Sequence, residues 1–431
     1  MGTMPDRKFG FETLCLHAGS QPDPATGARA APIYQTTSFV FGSAEHAASL
    51  FNLQTFGNVY SRISNPTVAV LEERIAALEG GRAALAAATG QSAQMVALLT
   101  LCEAGDHIVS ASTLYGGTYS QLGFNFRKLG IETTFVDPDV TENFRRAIGP
   151  RTKCLYAETI GNPRGNVLDI AAVAAVAREA GLPLVIDNTF ASPYLCRPIE
   201  HGADIVVHSA TKFIGGHGTT MGGLIVESGK FPWGNGKFPQ MTEPSAGYHG
   251  VRFFETFGDF GFTMRARFET LRTLGPALSP MNAWLLLQGL ETLHVRMERH
   301  VANAQAVAGF LATHPRVAWV NHAGLPASPY HALAKKYLPR GAGSIFTFGI
   351  RGGLPAGEKF IESLQFLSHL ANVGDAKSLV IHPASTTHRQ LSEEEQLKAG
   401  VSPDMIRLSV GLETLDDILW DIDQALEKSA A

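Results

Sequence analysis

The sequence predicts an α/β protein in which helices cover a mainly parallel sheet and a smaller α+β domain follows. Three observations support this fold class. Short apolar runs alternate with helical stretches between residues 107 and 227, these runs are apolar at nearly every position, and a second set of strands follows a long helix. Strands that are apolar throughout are typical of a parallel sheet buried on both faces. Ligands of such sheets bind beyond the carboxyl ends of the strands.

Composition narrows the class of protein. Of the 431 residues, 45% are hydrophobic and only 17% are charged, with a formal charge of −4. An average soluble protein has roughly 25% charged residues, so we expect a large buried surface and two or three domains. The net charge gives no excess of basic residues that would attract nucleic acid. No apolar run is long enough to span a bilayer, and the first residues lack the apolar core of a signal peptide. We therefore expect a cytoplasmic protein with small-molecule substrates and neither a nucleic-acid nor a membrane partner.

The cysteines and histidines do not indicate a metal site. Four cysteines are too widely spaced for a zinc pattern or a disulfide framework: Cys15, Cys102, Cys154 and Cys196. The histidines that we considered as ligands have no ligand spacing: His17, His208, His217, His382 and His388. We expect no bound metal.

Residues 1–60 predict an irregular arm that is rich in Pro and Gly but carries aromatic side chains, which a disordered tail seldom has. A flexible terminus is the alternative, and we expect an arm that wraps a neighbouring subunit. A helix then begins at Pro66, which suits a first helical turn, and ends at Gly80-Gly81. A second helix follows Gly90.

Six runs predict the strands of the large domain: HIVSA (107–111), TTFVD (133–137), KCLYAE (153–158), LPLVID (182–187), DIVVHSA (204–210) and GLIVE (223–227). Residues 143–148 and 170–180 predict helices between them. Residues 229–265 interrupt the alternation with Gly, Pro and aromatic residues. A long irregular segment inside a domain is usually functional or an assembly element.

A long helix over residues 281–313 is predicted to lead into the second domain. Four runs there predict strands: VAWVN (317–321), SIFTFGI (344–350), SLVIH (378–382) and IRLSV (406–410). Residues 355–370 and 414–428 predict helices, the second with Thr414 and Asp416 at cap-like positions. The predicted domains are an arm (1–60), a large α/β domain with an insertion at 229–265 (61–280), and a linking helix with a C-terminal α+β domain (281–431).

Lys212 is the most informative candidate for chemistry. It follows an apolar strand and precedes a glycine-rich segment, VVHSATKFIGGHGTTMGG (206–223). A lysine in this position should be partly desolvated, which lowers the pKa of its amine and favours Schiff-base chemistry. The alternative is a surface lysine on an ordinary glycine-rich turn. The segment matches neither of the glycine-rich nucleotide-binding patterns.

Two weaker signals accompany Lys212. Asp187 ends an apolar strand, where a carboxylate is costly without a cationic partner such as a protonated pyridine nitrogen. A simple turn or helix cap is the alternative. Gly90 and Gln91 lie at the start of a predicted helix, where backbone N–H groups can bind phosphate. Taken alone, this second segment more readily indicates an ordinary helix start.

Together these residues resemble the Cys/Met-metabolism family of pyridoxal-phosphate enzymes over residues 10–428. The most specific match is Ser209-Ala210-Thr211-Lys212, preceded by DNTF at 187–190. Four further segments match in order and spacing: YSRISNPT (60–67), LYGGTY (114–119), ETIGNP (158–163) and RLSVGLE (407–413). The resemblance implies a fold-type I transferase, with a mainly parallel seven-stranded sheet, that uses pyridoxal 5'-phosphate.

The resemblance also implies a role for each matching residue. Lys212 would bond covalently to the cofactor and move protons, Asp187 would face the pyridine nitrogen, and Tyr115 would stack on the ring. Asn162 would donate to the phenolic oxygen. The remaining cofactor-binding residues would hold the phosphate: Gly90, Gln91, Ser209, Thr211, and Tyr60 and Arg62 from an adjacent subunit. Arg407, Asn372 and Tyr60 would bind substrate, and the phenols of Tyr60 and Tyr115 would assist proton transfer.

Within the family, TGQ at 89–91, the insertion at 229–265 and HLANVGDAKSLVIHPASTTH at 369–388 resemble the O-acetylhomoserine sulfhydrylase branch. This implies replacement of the γ-substituent of O-acetyl-L-homoserine by sulfide or a small thiol, in an obligate dimer that assembles into a homotetramer. Cystathionine γ-synthase and a γ- or β-lyase remain alternatives within the family. A catalytically silent scaffold or a sulfur-transfer partner is the alternative of a different class.

Overall fold

The structure is a computed structural model that describes residues 7–386, 389, 394 and 400–429. Within these residues, twelve strands form a seven-stranded sheet (β1–β7) and a five-stranded sheet (β8–β12). The strands of the larger sheet are β1 (Ala83–Ala87), β2 (His107–Ala111), β3 (Glu132–Val136), β4 (Thr152–Glu158), β5 (Leu184–Asp187), β6 (Ile205–Ser209) and β7 (Gly223–Glu227). Those of the smaller sheet are β8 (Val317–Asn321), β9 (Ile345–Ile350), β10 (Ser368–His369), β11 (Leu379–Ile381) and β12 (Met405–Ser409).

The larger sheet is mixed. Strands β5, β4, β2 and β3 are consecutive neighbours and pair in parallel. Strands β1, β7 and β6 are also consecutive, and β7 is antiparallel to both β1 and β6. The six predicted runs all form strands, and β1 is a seventh strand that the pattern did not locate. Its sequence, AALAA, lacks the β-branched and aromatic residues that indicate a strand.

The helices of the described residues include every predicted one, although not always at its predicted length, and several that were not predicted. They are α1 (Phe11–His17), α2 (Ala44–Phe51), α3 (Pro66–Glu79), α4 (Gly90–Leu101), α5 (Gly116–Ser120), α6 (Thr141–Ala147), α7 (Ile170–Glu179), α8 (Ser192–Leu195), α9 (Pro239–Thr242), α10 (Phe253–Phe257), α11 (Gly261–Arg265), α12 (Arg272–Leu274), α13 (Pro280–Glu291), α14 (Leu293–Thr313), α15 (His331–Tyr337), α16 (Gly353–Ser363) and α17 (Leu415–Lys428). Residues 121–126 and 266–271 are π-helical.

Three predicted elements are wrong in extent. The arm is not irregular throughout, because it contains α1 and α2. The long helix is interrupted at Thr292, whose φ of −110° and ψ of 10° lie outside the helical region. The helix predicted over 355–370 ends at Ser363, and Ser368–His369 then pairs with β11 as strand β10.

The ends of α3 follow the sequence directly. The side chain of Asn65 accepts a hydrogen bond from the Thr67 N–H, and Pro66 occupies the first helical position, where a missing N–H costs nothing. Gly80 ends the helix at a φ of 69°, a left-handed conformation that favours glycine. Helix α4 begins at Gly90 as predicted. Thr414 precedes α17, but its side chain makes no capping hydrogen bond.

The described residues form two compact units. The first lies within Met1–Leu101, Asp204–Thr211 and Thr220–His294, and the second within Cys102–Ala203, Lys212–Thr219 and Val295–Ala431. The domain boundaries predicted at residues 60 and 280 stay predictions. No helix among the described residues combines the length and the apolar character that crossing a bilayer requires.

The smaller sheet and its helices form a core of their own in the second unit. Strand β9 is buried at every position and pairs antiparallel with β12 and β8. Phe348 contacts Phe360 of α16 edge to face, with ring centres 5.8 Å apart. Ile418 and Ile422 of α17 are fully buried in the same cluster. This core supports β12, the strand that carries Arg407.

Residues 229–265 are not a structureless loop in the first unit. Seven of their aromatic side chains are buried: Phe231, Trp233, Phe238, Tyr248, Phe253, Phe257 and Phe262. Trp233 stacks on Phe262 with ring centres 5.5 Å apart and an interplanar angle of 9°. The buried Glu227 carboxylate at the end of β7 accepts hydrogen bonds from the indole N–H of Trp233 and from the backbone N–H groups of Phe262 and Thr263. The segment is therefore a small aromatic core anchored on one carboxylate.

Candidate active site

The Lys212 amine is held by an amide in the second unit. Lys212 follows β6 by three residues, as predicted, and its Nζ donates to Oδ1 of Asn372 at 2.5 Å. Burial, and then the charge of Arg407, lowers the pKa of Lys212 from 10.5 to about 8. A useful fraction of the amine is therefore neutral near physiological pH, as a nucleophile or a general base requires.

Arg407 provides a cation beside this amine. It lies in β12, and its Nη1 donates to Oδ1 of Asn162 at 3.2 Å. Burial lowers the pKa of Arg407 to about 10, so the guanidinium stays charged at pH 7. A half-buried guanidinium that donates to a neutral amide suits an incoming carboxylate, because its planar fork can bind both oxygens.

Two carboxylates lie side by side at the ends of β4 and β5. Glu158 and Asp187 are register partners in these parallel strands. Oδ1 of Asp187 accepts from the Thr189 N–H at 2.9 Å. Burial raises the pKa of Glu158 well above its usual value, and the neighbouring Asp187 raises it further. The paired positions make this sheet edge a place where cationic or protonated groups are stabilised.

Glu158 supports two residues of the candidate site, and the sequence did not single it out. Its Oε1 accepts from the Tyr115 N–H at 2.6 Å and its Oε2 accepts from the Asn162 N–H at 3.2 Å. One carboxylate thus fixes the backbone of two residues predicted to contact the cofactor. The available signal was an acid ending the apolar run KCLYAE, the same signal that singled out Asp187. Tyr115 itself is 52% exposed, so its ring is open to stacking.

The predicted phosphate-binding residues lie in the first unit. A Cβ added to Gly90 would lie 2.6 Å from the Cβ of Ser209, so the start of α4 approaches Ser209 more closely than a side chain allows. Thr89 and Ser92 exchange backbone-to-hydroxyl hydrogen bonds that cap this helix start. The Thr211 hydroxyl accepts from the Gly222 N–H at 3.1 Å. Helix-start N–H groups beside hydroxyls suit an anion.

Tyr60 and Arg62 are near each other in the first unit. The guanidinium carbon of Arg62 lies 5.3 Å from the centre of the Tyr60 ring, and its Nη1 donates to the backbone carbonyl of Arg272. The side chain of Tyr60 is 40% exposed. Their binding to phosphate across a subunit boundary stays a prediction.

The histidines considered earlier have other partners. His208 contacts Glu79 through Nε2 at 2.6 Å, and His382 bonds to the hydroxyl of Ser385 and the carbonyl of Pro403. His388 lies outside the described residues. Among the residues that the structure does describe, no group of three or more His, Cys, Asp or Glu could hold a metal ion.

Each unit, taken by itself, carries groups that suit a part of pyridoxal phosphate. The second unit offers a partly neutral lysine for an aldehyde, a strand-end carboxylate for a pyridine nitrogen, and an amide for a phenolic oxygen. The first unit offers a helix start from which side chains are excluded at Gly90. This fold with these donors defines a pyridoxal-phosphate-dependent enzyme of fold type I.

The chain belongs to the Cys/Met metabolism PLP-dependent enzyme family, whose sequence profile matches residues 12–427. It is 58% identical to an O-acetyl-L-homoserine sulfhydrylase of Leptospira meyeri, over 99% of this chain and 98% of that protein. It is 54% identical to a homocysteine synthase of Schizosaccharomyces pombe, over 98% of this chain and all of that protein.

A solved structure has the same fold. A Campylobacter jejuni protein described as an O-acetylhomoserine (thiol)-lyase aligns with a TM-score of 0.94 and 40% identity, over 97% of this chain and 100% of that chain. Its crystal structure contains N'-pyridoxyl-lysine-5'-monophosphate. The fold class, the family and the cofactor predicted from the sequence are confirmed.

Proposed function

We propose that this enzyme converts O-acetyl-L-homoserine and sulfide into L-homocysteine and acetate, and methanethiol in place of sulfide into L-methionine. The single observation that carries the proposal is a half-buried pair of groups in the second unit. The Lys212 amine donates to Asn372, and the charge of Arg407 helps to lower its pKa to about 8. An amino-acid substrate needs both groups, one for its carboxylate and one for its protons. The high identity to sulfhydrylases and homocysteine synthases supports the choice of reaction.

The proposed roles of the site residues follow the donor chemistry. Lys212 bonds to the cofactor, Asp187 faces its pyridine nitrogen, Tyr115 stacks on its ring, and Asn162 donates to its phenolic oxygen. The phosphate is held by Gly90, Gln91, Ser209 and Thr211, and by Tyr60 and Arg62 of an adjacent subunit. Asn372, Arg407 and Tyr60 bind the substrate.

The chain's residues then direct the reaction. When bound, pyridoxal phosphate withdraws electrons from the substrate's Cα. Arg407 binds the α-carboxylate through two parallel hydrogen bonds and so fixes the orientation of Cα. The neutral Nζ of Lys212 takes the proton from Cα and later returns one, and the phenols of Tyr115 and Tyr60 assist proton transfer. A second proton must leave Cβ before the Cγ–O bond breaks with both electrons leaving on acetate. Hydrosulfide then forms the new Cγ–S bond, and protons return to Cβ and Cα.

The assembly and location are further parts of the proposal. An obligate dimer, paired into a homotetramer, would bring Tyr60 and Arg62 to the phosphate of a neighbouring subunit. A cytoplasmic location agrees with the cysteines, because all four are buried and are not disulfide-bonded.

Mass spectrometry of the products tests the reaction. Purified enzyme is incubated with O-acetyl-L-homoserine and, in parallel, sulfide, methanethiol, cysteine or no nucleophile, with Lys212→Ala as the inactive control. We expect homocysteine and acetate with sulfide. Product with cysteine alone would indicate a cystathionine γ-synthase, and substrate loss without a nucleophile would indicate a lyase. No consumption in any arm, with no bound cofactor, would indicate a silent scaffold.

A further inference from the structure

Helix α14 carries a buried polar stripe in the second unit. Arg296, His300 and Asn303 are spaced four and three residues apart, so they lie on one face of the helix. Arg296 is 7% exposed, His300 0% and Asn303 2%. Three polar side chains on a buried face are costly unless each is hydrogen-bonded, so their partners indicate what the stripe does.

The stripe bonds to the backbone of two segments. Arg296 donates to the carbonyls of Phe213 at 2.7 Å and Ile214 at 3.4 Å, directly after Lys212. Asn303 donates to the carbonyls of Gly411 and Glu413, both at 3.0 Å, shortly after β12, which carries Arg407. One helix face thus holds the two segments that follow the amine and the guanidinium of the proposed site.

His300 contacts both segments. Its ring lies edge to face against Phe213, with centres 5.3 Å apart, and its Nδ1 bonds to the Val410 carbonyl at 2.7 Å. A carbonyl oxygen only accepts, so Nδ1 carries the proton. Burial lowers the pKa of His300 to about 4, and Nε2 has no hydrogen-bond partner in the described part of the chain. His300 therefore contributes shape and one donor rather than charge.

The two cations of the site do not hold these segments together. The charge of Arg407 lowers the pKa of Lys212, so the amine in its protonated form and the guanidinium repel each other. Other hydrogen bonds and packing contacts must therefore fix the distance between the Lys212 amine and the Arg407 guanidinium. Besides the stripe, a backbone path does so: the Ala376 N–H donates to the Gly216 carbonyl at 2.9 Å, and the Leu412 N–H donates to the Ala376 carbonyl at 2.8 Å.

We propose that His300 is a positioning residue that fixes the Lys212 amine relative to the Arg407 guanidinium. Its ring holds Phe213 and thus the Lys212 segment, and its Nδ1–H holds Val410 and thus the carboxyl end of β12. The inference rests on the roles proposed above for Lys212 and Arg407. It assigns a purpose to a histidine that neither contacts the reacting groups nor belongs to any motif in the sequence.

Two substitutions separate the two contacts. His300→Phe keeps a ring against Phe213 and removes the donor to Val410. His300→Asn keeps a donor at the place of Nδ1 and removes the ring. His322→Phe is the matched control, because His322 is also buried, lies edge to face against Phe346 with centres 5.2 Å apart, and bonds to the Gly343 carbonyl.

Steady-state kinetics with O-acetyl-L-homoserine and sulfide should divide the two effects. We expect His300→Phe to raise KM about tenfold with kcat within about twofold, because a buried carbonyl near Arg407 loses its donor. We expect His300→Asn to lower kcat by about tenfold or more with KM little changed. The reason is that Phe213, the residue after Lys212, loses the ring that packs against it. His322→Phe should lower the melting temperature but should neither raise KM alone nor lower kcat alone.

A binding titration gives a readout without turnover. L-Norvaline has no γ leaving group, and n-butylamine is the same molecule without its carboxylate. Followed by cofactor absorbance, the Kd of norvaline should rise about tenfold in His300→Phe, while that of butylamine stays unchanged. Should His300→Phe fail to fold, Asn303→Leu removes two donors to the same end of β12 and should give the same result.

The outcomes separate this inference from the proposed function. A wild-type enzyme that forms no homocysteine would refute the proposed function. A wild type that does form it, with both His300 variants showing unchanged kcat, KM and norvaline Kd, would overturn the positioning role. Equal losses in His300→Phe and His322→Phe would also overturn it, since they would indicate general loss of packing.

Discussion

The Glu227 carboxylate gives a stability prediction with a definite sign. It is 2% exposed at the end of β7, and its Oε2 also accepts from the hydroxyl of Thr263 at 2.8 Å. Four donors favour its ionised form, but burial outweighs them and raises the pKa of Glu227 from 4.5 to about 7. The folded chain therefore binds a proton that the unfolded chain releases at lower pH.

The magnitude follows from linkage. A rise from 4.5 to about 7 corresponds to roughly 3 kcal/mol. Because the folded pKa of this acid is raised, its contribution to stability is complete below pH 4.5 and is lost as pH rises towards 7 and above. Glu227→Gln cannot titrate, so the stability of the variant relative to wild type should increase by about 3 kcal/mol between pH 4.5 and pH 8.

Thermal denaturation measures this difference. For a chain of 431 residues, about 1 kcal/mol moves the melting temperature by about 1 °C. The melting temperature of Glu227→Gln minus that of wild type should therefore rise by about 3 °C across this range, since other titrating groups cancel in the subtraction. Glu243→Gln, which replaces an exposed carboxylate of the same segment, is the matched control variant. Parallel curves for Glu227→Gln and wild type would refute the reasoning.

Four further outcomes follow from the site. Lys212→Ala should abolish both turnover and the visible absorbance of bound cofactor, because it removes the bonding amine. Apoenzyme should recombine with pyridoxal phosphate at a rate that rises with pH and levels off above about pH 8, where the Lys212 amine is neutral. Arg62→Ala should weaken cofactor retention about tenfold to a hundredfold in gel-filtration assays, the cost of one charged phosphate contact. Glu158→Gln should weaken cofactor retention by about tenfold. The NH₂ group of the new amide would face the Tyr115 or Asn162 N–H, so two donors would meet and one hydrogen bond would be lost.

Each of these outcomes can be contradicted. Borohydride labelling at a residue other than Lys212, followed by peptide mapping, would refute its assignment. A recombination rate that levels off only near pH 10.5 would contradict the low pKa of its amine. Unchanged retention in Arg62→Ala, matched against the exposed Arg127→Ala, would argue against phosphate binding by Arg62. Full retention in Glu158→Gln would mean that the two backbone hydrogen bonds are dispensable.

The sequence predicts most strands of the larger sheet because their apolar runs are bounded by glycine, proline and polar residues. It fails for β1, because alanine favours helices and only the antiparallel pairing with β7 fixes this strand. It also fails at Thr292, where the apolar period continues through the break. Residues 364–370 have the apolar spacing of a helix, but Ser368–His369 instead pairs with β11 as strand β10. Such pairings join segments far apart in sequence, so no local pattern contains them.

The residues of the candidate site also fall into two groups, those that a local sequence pattern indicates and those that only the folded structure brings to light. Lys212 and Asp187 could be found because Lys212 follows an apolar strand, Asp187 ends one, and a charge is unusual at either place. The supporting residues could not, because their effect depends on partners remote in the chain. Glu158 holds the Tyr115 N–H across 43 positions, and His300 reaches Val410 across 110. What the sequence leaves out is therefore the framework that orients the reactive groups.

The close approach of Gly90 to Ser209 limits how this enzyme can be engineered. Saturation mutagenesis at codon 90 should return glycine among active clones, since even alanine would push β6 away from the start of α4. Gly223 is restricted in the same manner by the carbonyl of Thr89. Libraries meant to alter cofactor or substrate preference should therefore keep both glycines fixed.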